Sequence, residues 1–539
     1  MDKQWFFEKN QYLLDHKINV TFDEILRMTE EEFVQWVVEL RKAVVYSWDV
    51  LGIPPRMGYN KAEIIEQFYE LYLYNLKSND LLCVDELTGQ KDLIRNSTSL
   101  GNAVNQFFPT MMKTRINYTQ DVKAGKSIYD FFAKDELFPT FLTYARRHFK
   151  RDSFYNHSLH VDYNDKTMYE VLPQSKTGVE WVQKFEESFR KRKVYDYWLA
   201  PVKEDFEYTG YAEHLKHAKR LTLNRAELEA VWEIIPGHCK SNVDFERSEV
   251  YRLRYFAPGQ RLFPIGFKNF RVSFCQYAVN FPPLTAKWVY ERFTKEWKGE
   301  ATIYVWDPSA GWGGRLLGCL AASHDRHLTY LGNDPNTDHN TTPGRTKYHE
   351  IYDLYTANIR KGGMDNLPHN DFKFWQLGSE VMQHDPEFQQ YKGKLSLVFT
   401  SPPYFAKERY SEDPEQSCIK FDGYHEWKSG FLLPTLYTAV QWLRPGGYLV
   451  WNVADVQFGG EMLPLEEDSK AILETLGMHY EGFFKMALGS MPGGNRVDPE
   501  TGLPKAKNFA KTQENLYEGM RKRKVLWLKY EPLFVFRKS

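Results

Sequence analysis

Two short stretches of this 539-residue chain hold residue types whose order can support chemistry. The first runs Val305-Trp306-Asp307-Pro308-Ser309-Ala310-Gly311-Trp312-Gly313-Gly314-Arg315: an apolar strand ends in an acid, turns through glycines and enters a helix. Glycines let the backbone turn sharply and approach a ligand, and the helix N-terminus offers unpaired N–H groups. The spacing is not the G-x-G-x-x-G of dinucleotide sites. About 20 residues beyond the glycines Asp334 ends the next strand, where a carboxylate can accept from both ribose hydroxyls of a nucleoside. The plainer role for Asp334 is a turn or helix cap.

The second stretch, Ser401-Pro402-Pro403-Tyr404, follows the apolar run Leu395 to Thr400. Two successive prolines stiffen the backbone and present carbonyls with no N–H between them. A nucleobase taken out of its stack needs acceptors for its amino protons and a flat surface to lie on. Ser401 and the Pro402 carbonyl can supply the acceptors, and Tyr404 the surface. Ligands of open α/β sheets sit at the carboxyl ends of the strands, so both stretches would face one crevice.

The elements that must position these residues alternate from about Asn280 onward. The periodicity predicts a helix over Thr285–Trp297, a strand over Thr302–Trp306, a helix over Arg315–Ser323, a strand over Thr329–Gly332 and a helix over Gly344–Arg360. Strands over Phe372–Gln376 and Leu395–Thr400, a helix over Trp427–Leu443 and a strand over Tyr448–Val453 continue the pattern. Such alternation builds a parallel sheet with helices on both faces. His479–Ala487 and Val525–Arg537 read as two closing strands that make an antiparallel edge. The connection from Gly489 to Lys524 is rich in glycine, proline and basic residues, and loops of that length are commonly functional.

Asp307-Pro308-Ser309-Ala310-Gly311 together with Ser401-Pro402-Pro403-Tyr404 resembles the cofactor and catalytic motifs of amino-directed DNA methyltransferases, the N4-cytosine and N6-adenine enzymes. Other pieces resemble the family in order: Asn280-Phe281-Pro282-Pro283-Leu284-Thr285 before the first strand, Gly378-Ser379-Glu380 after the third, Arg444-Pro445-Gly446-Gly447 before the fifth, and the closing strand. The resemblance covers about Asn280 to Ser539. It implies a Rossmann-like, mostly parallel seven-stranded sheet with an antiparallel last strand, and S-adenosyl-L-methionine as cofactor. By the same resemblance the cofactor would meet Phe281, Pro282, Thr285, Asp307, Pro308, Ser309, Gly311, Gly313, Asp334, Ser379 and Glu380. Ser401, Pro402, Pro403 and Tyr404 would carry catalysis without a metal. Serine at 401 favours N4 of cytosine, with N6 of adenine second. Carbon-5 methylation would want a thiolate after a proline, and the chain has no Pro-Cys pair.

Double-stranded DNA is then the expected partner, with RNA second, and a companion restriction endonuclease is a further possibility that the sequence leaves open. The other class of reading is a DNA-binding or regulatory protein on a decayed methylase fold. Residues 1–80 read as a helical domain, 81–275 as a mixed region that is the candidate for target recognition, and 276–539 as the catalytic domain. Net charge is -1, so a polyanion surface must be local. Basic runs occur at Arg146–Arg151, Arg190–Lys193 and Arg521–Lys524. Five scattered cysteines form no C-x-x-C pair, which argues against a disulfide framework or a zinc ribbon. No apolar run is long enough to span a membrane, and the start shows no secretory pattern, so a cytoplasmic location is expected.

Overall fold

The computed structural model describes residues 28–49, 61–148, 278–487 and 530–539 with short interruptions, and strands at 157–163, 221–223 and 251–256. The sequence also predicts a helix over Arg225–Trp232; it, the connection Gly489–Lys524 and the basic runs at Arg190 and Arg521 lie outside the described residues. The chain forms two compact units. One holds residues 1–51, 55–58 and 131–270; the other holds 52–54, 59–130 and 271–539.

In the first unit the helix Glu30–Asp49 opens with Thr29 and Glu32, each bonding the other's backbone N–H at 2.7 and 3.2 Å, which satisfies two free donors of the first turn. Its apolar residues Phe33, Val37, Leu40 and Val44 recur at spacings of three and four and are buried. Strand His157–Tyr163 pairs antiparallel with both Leu221–Leu223 and Tyr251–Phe256.

The second unit is built on one nine-stranded sheet. Its strands are β1 (Leu82–Cys83), β2 (Leu93–Ile94), β3 (Ile303–Asp307), β4 (Leu328–Asn333), β5 (Asp371–Trp375), β6 (Leu395–Thr400), β7 (Leu443–Asn452), β8 (Met478–Ala487) and β9 (Tyr530–Lys538). The order across the sheet is β1-β2-β8-β9-β7-β6-β3-β4-β5. Strands β5, β4, β3, β6 and β7 are parallel, and β9 runs antiparallel between β7 and β8. This is the expected Rossmann-like, mostly parallel sheet with an antiparallel last strand, with nine strands rather than seven because β1 and β2 extend it past β8. The order reverses between β3 and β6, the switch point at which such sheets open a crevice.

The parallel strands read as unbroken apolar runs because both their faces are covered. Val305, Leu397 and Phe399 point into one core with Trp288, Tyr290, Leu316 and Tyr348. Trp306 and Val398, their alternates, enter the other core with Trp427, Leu436 and Trp451, and a register shift between Leu395 and Leu397 puts Leu395 there too. Helices α2 (Pro283–Phe293) and α3 (Gly314–Leu320) meet at Gly318, where a Cβ would come within 2.5 Å of Ala286 Cβ. Only glycine allows that approach.

Four expectations need correction. The closing pair β8 and β9 is not an edge, because β2 pairs in parallel with β8 at Lys485 and Met486. The helix expected over Gly344–Arg360 starts only at Lys347, after a short strand at Arg345–Thr346, and its last residues, Thr356–Arg360, form a wider π turn. The helix expected over Trp427–Leu443 is also interrupted by a π turn, at Lys428–Leu432, before Leu433–Trp442. The boundaries at 80 and 275 also differ from the structure, since residues 59–130 belong with the sheet.

Buried polar contacts tie them in. Helix α1 (Lys61–Leu73) ends against Lys287, whose ammonium donates to the carbonyls of Leu71, Tyr72 and Tyr74 at 2.9, 2.9 and 2.8 Å. The Leu71 carbonyl also accepts from Tyr74 N–H at 3.3 Å, and the cation complements the helix C-terminus. Lys485 of β8 pairs with Asp85 and Asp92 at 2.7 and 3.0 Å. Both contacts join segments far apart in sequence, which no local pattern announces. Lys287→Met removes three charge-assisted bonds, so it is expected to cost about 3 kcal/mol or more. Urea denaturation measures it; a loss below about 1 kcal/mol would show that the cap is not holding α1.

Candidate active site at the carboxyl ends of the sheet

Asp307 ends β3 with no exposed surface. Its Oδ2 accepts from Arg315 Nε at 2.9 Å and Tyr330 hydroxyl at 2.7 Å; its Oδ1 accepts from Thr400 hydroxyl at 2.7 Å and Ser309 N–H at 3.3 Å. A carboxylate has about four acceptor positions, and the protein fills them all. The structure thus gives Asp307 another role than the expected cofactor contact. It pins β3, β4, β6 and α3 together. Arg315, which looks too bulky for a glycine turn, is turned inward to pair with Asp307 and also donates to the Ser309 carbonyl.

Asn333 at the end of β4 makes a second pin, which the sequence reading missed. Its Oδ1 accepts from Trp306 Nε1 at 2.9 Å, and its Nδ2 donates to the carbonyls of Pro308 and Leu377 at 3.1 and 2.9 Å. Three neighbouring strand ends are thereby held in register.

The glycine turn between these pins has a left-handed backbone at Gly311 (φ 57°) and Gly313 (φ 70°). A side chain at Gly313 would strike Ile351 and Phe108, whereas a Cβ at Gly311 would meet nothing closer than 3.8 Å. That is ordinary van der Waals distance, so a side chain at Gly311 is opposed by the left-handed backbone rather than by a clash. Gly314 is crossed by the Phe281 carbonyl, so the Asn280–Thr285 segment lies on the N-terminus of α3. Phe281 is buried, with its ring edge-on to Phe399 at 5.3 Å, Pro282 precedes α2, and Thr285 is buried with no hydrogen-bond partner for its hydroxyl among the described residues.

Asp334 follows β4 with its side chain 14% exposed. Its Oδ2 accepts from Gly311 N–H at 2.9 Å and its Oδ1 from Asn336 N–H at 3.0 Å. Burial raises its pKa to about 6 despite those two donors. Ser379 and Glu380 lie beyond β5, but their side chains face protein: Ser379 bonds Thr435 at 2.8 Å and Glu380 pairs with Lys420 at 3.0 Å.

A relay absent from the sequence reading braces the turn from the side. Trp312 Nε1 donates to Thr110 hydroxyl at 3.0 Å, and Thr110 lies 3.0 Å from His339 Nε2. His339 Nδ1 lies 2.9 Å from Tyr348 hydroxyl, which donates to the Gly311 carbonyl. Tyr348 has one proton and gives it to Gly311, so His339 must donate from Nδ1 and accept at Nε2. Burial agrees, pushing the His339 pKa down to about 3, so the ring is neutral near pH 7.

Ser401 follows Thr400 directly and so emerges beside Asp307. Its Oγ is 3.4 Å from Tyr404 hydroxyl, which donates to the Asn452 carbonyl at 3.3 Å. Pro402 is buried and Pro403 half-buried. Phe405 next to them has φ 52°, the left-handed conformation that bulky residues avoid. Its buried ring meets Tyr424, Trp427 and Phe458 at 5.6, 5.9 and 5.2 Å, contacts that hold the strained turn. Strain of this kind recurs at functional sites. The structure therefore brings the glycine turn, Asp334 and Ser401–Tyr404 to one edge of the sheet, and sets Thr285, Ser379 and Glu380 behind it or against other side chains.

No family model and no curated protein matches the chain. Among solved structures it is similar to a SAM-dependent methyltransferase from Archaeoglobus fulgidus, with 15% identity over 50% of this chain and 99% of that chain and a TM-score of 0.25. It is similar to a geranyl diphosphate methyltransferase at 9% identity, over 47% of this chain and 78% of that chain, with a TM-score of 0.23. It is also similar to a putative DNA modification methylase from Thermus thermophilus at 20% identity, over 30% of this chain and about half (52%) of that chain, with a TM-score of 0.18. The fold assignment rests on the strand order and register given above.

If Asp307 is a pin, Asp307→Asn is expected to lower stability by roughly 3 to 5 kcal/mol, because Arg315 is left buried without its charge partner. Chemical denaturation measures it. Unchanged stability with lost affinity for S-adenosylmethionine would make Asp307 a ligand instead.

Proposed function

We propose that this chain is an S-adenosylmethionine-dependent methyltransferase that modifies an exocyclic amino group of a base in DNA, N4 of cytosine before N6 of adenine. The observation that carries the proposal is the adjacency of the glycine turn and Ser401–Tyr404 at the switch point, with Thr400 bonded to Asp307 at 2.7 Å. Turn and motif lie on neighbouring strand ends, as a methyl donor and its acceptor must.

The residues fit the cofactor. Gly311, without a side chain, would form the cradle at the turn, and Asp334 holds a carboxylate, 14% exposed, beside it for a nucleoside's hydroxyls. Phe281, Pro282, Pro308, Ser309 and Gly313 shape the turn around that cradle. When bound, S-adenosylmethionine supplies an electrophilic methyl group. Ser401 and the Pro402 carbonyl would accept hydrogen bonds from the base amino group, drawing its lone pair out of conjugation with the ring. Tyr404 would hold the base plane. Catalysis then comes from positioning and from acceptors aimed at the charge that develops on nitrogen.

Phosphate contacts must come from basic segments, because Glu408, Glu412, Asp413 and Glu415 make the stretch after the motif acidic. Residues 488–529, with nine Lys or Arg against four Asp or Glu, are the richest source near the site in sequence. Their neighbours Ala487 and Tyr530 pair with each other, at the same end of the sheet as Asn452.

Three experiments test the proposal. Methyl transfer from labelled cofactor should reach DNA and not RNA of equal length, with a steep fall as salt rises. Tyr404→Ala should lower turnover by roughly 5- to 150-fold, the equivalent of 1 to 3 kcal/mol of base stacking, with cofactor affinity little changed. Label in RNA alone would overturn the assignment. Cofactor affinity is also expected to weaken as pH falls through about 6, because protonation removes the acceptor at Asp334. Asp334→Asn should flatten that dependence in calorimetric titrations; a wild-type affinity constant between pH 5 and 8 would remove Asp334 from the site.

A further inference from the structure

The chain that follows Ser401–Tyr404 runs back across the crevice. Lys407 N–H returns to the Tyr404 carbonyl at 3.1 Å, and the Tyr410 ring meets Trp312 edge-on at 5.5 Å. Asp413 accepts from Thr337 N–H and hydroxyl at 3.1 and 2.6 Å, just past β4. Lys420 reaches Glu380 past β5 at 3.0 Å. Residues 405–420 are therefore a strap, pinned to the glycine turn and to the ends of β4 and β5.

One further pin comes from nearly three hundred residues earlier in the sequence. Glu408–Arg409 pairs antiparallel with Arg115–Ile116. The Arg115 guanidinium donates from Nε and Nη2 to the two oxygens of Asp130, at 3.0 and 2.9 Å, and from Nη1 to Glu412 at 2.7 Å. The Asp130 side chain is 1% exposed and also accepts from Ser127 N–H and hydroxyl at 2.7 and 2.9 Å. Burial works to raise the Asp130 pKa, but its bonds to Arg115 and Ser127 outweigh that and hold it at about 2. Arg115 is thus fixed on one side by a permanent buried anion. On the other side it grips Glu412, which is 63% exposed and belongs to the strap. A planar fork can serve two carboxylates in this way; a lysine ammonium cannot reproduce the bidentate half.

We infer that Arg115 is a positioning residue for the proposed methyl transfer, holding the strap, and through it the Ser401–Tyr404 turn, in place without touching substrate. The inference rests on the proposed assignment of Ser401–Tyr404 as the base-binding segment. It adds a residue outside every motif in the sequence.

The test uses the full chain with Arg115→Ala, Arg115→Lys and Glu412→Gln. Misplacement of the turn is expected to lower kcat for DNA methylation by roughly 10- to 100-fold in Arg115→Ala, with affinity for S-adenosylmethionine changed less than about threefold. Arg115→Lys should recover only part of the loss, and Glu412→Gln should fall between it and wild type. Amide hydrogen exchange should speed up across 405–416 in Arg115→Ala while β3 and β4 keep their protection. Wild-type kcat, unchanged exchange in 405–416, or a loss of kcat matched by equal losses of cofactor affinity and global stability would each overturn the inference. A wild-type chain that methylates no DNA would overturn the functional assignment and this role with it, and the exchange result would separately show whether Arg115 holds the strap.

Discussion

The carboxylate of Asp307 is the constraint on which the site depends. An ion of that size withdrawn from water costs several kcal/mol unless its partners are near ideal, and here four donors converge on it. They come from the glycine turn, from β4, from β6 and from α3. The arrangement therefore fixes where β3 ends and where β6 delivers Ser401. A pin of this kind is weak evidence for stability in itself. Its consequence is geometric: donors and acceptors for a reaction are useful only when held within a fraction of an ångström, and rigid strand ends hold them better than loops.

Around that pin the molecule adds braces of decreasing burial. Asn333 joins three strand ends, and the neutral His339 connects Trp312 to the Gly311 carbonyl through Thr110 and Tyr348. The strap 405–420 closes over them with charged contacts that are partly exposed. The burial gradient gives each layer a different freedom. The innermost contacts cannot open without unfolding, whereas partly exposed ion pairs such as Arg115 with Glu412 contribute little global stability and act only on the segment that they hold. Residues 59–130 supply Thr110, Phe108 and Arg115 to these braces, so they are part of the candidate site.

The parallel sheet was legible in the sequence because strands buried on both faces read as continuous apolar runs, as Leu395–Thr400 does, and because the glycine turn marks the end of the first strand. The convergence of the glycine turn, Asp334 and Ser401–Tyr404 was legible too, since parallel strands deliver their carboxyl ends to one side. What the sequence did not disclose depends on contacts between distant residues. Arg315 fits the turn because it pairs inward with Asp307, a contact that the motif itself does not show. Lys287, His339 and Arg115 carry no local signature, because each is defined by partners tens to hundreds of residues away. The short strands β1 and β2 were missed for the same reason: two residues show no periodicity, and pairing of β2 with β8 and of β1 with β2 defines them. The π turns at Thr356–Arg360 and Lys428–Leu432 leave the apolar spacing almost unchanged, so the pattern continues through them as helix.

The central claim is that an amino nitrogen of a base is the methyl acceptor. The direct measurement is nucleoside mass spectrometry of DNA after incubation with the full chain and isotopically labelled S-adenosylmethionine. The account predicts label in N4-methylcytosine, or failing that in N6-methyladenine, and its absence when Ser401–Tyr404 is disrupted. Label at carbon 5 of cytosine, or none on any base while the cofactor binds, would contradict it.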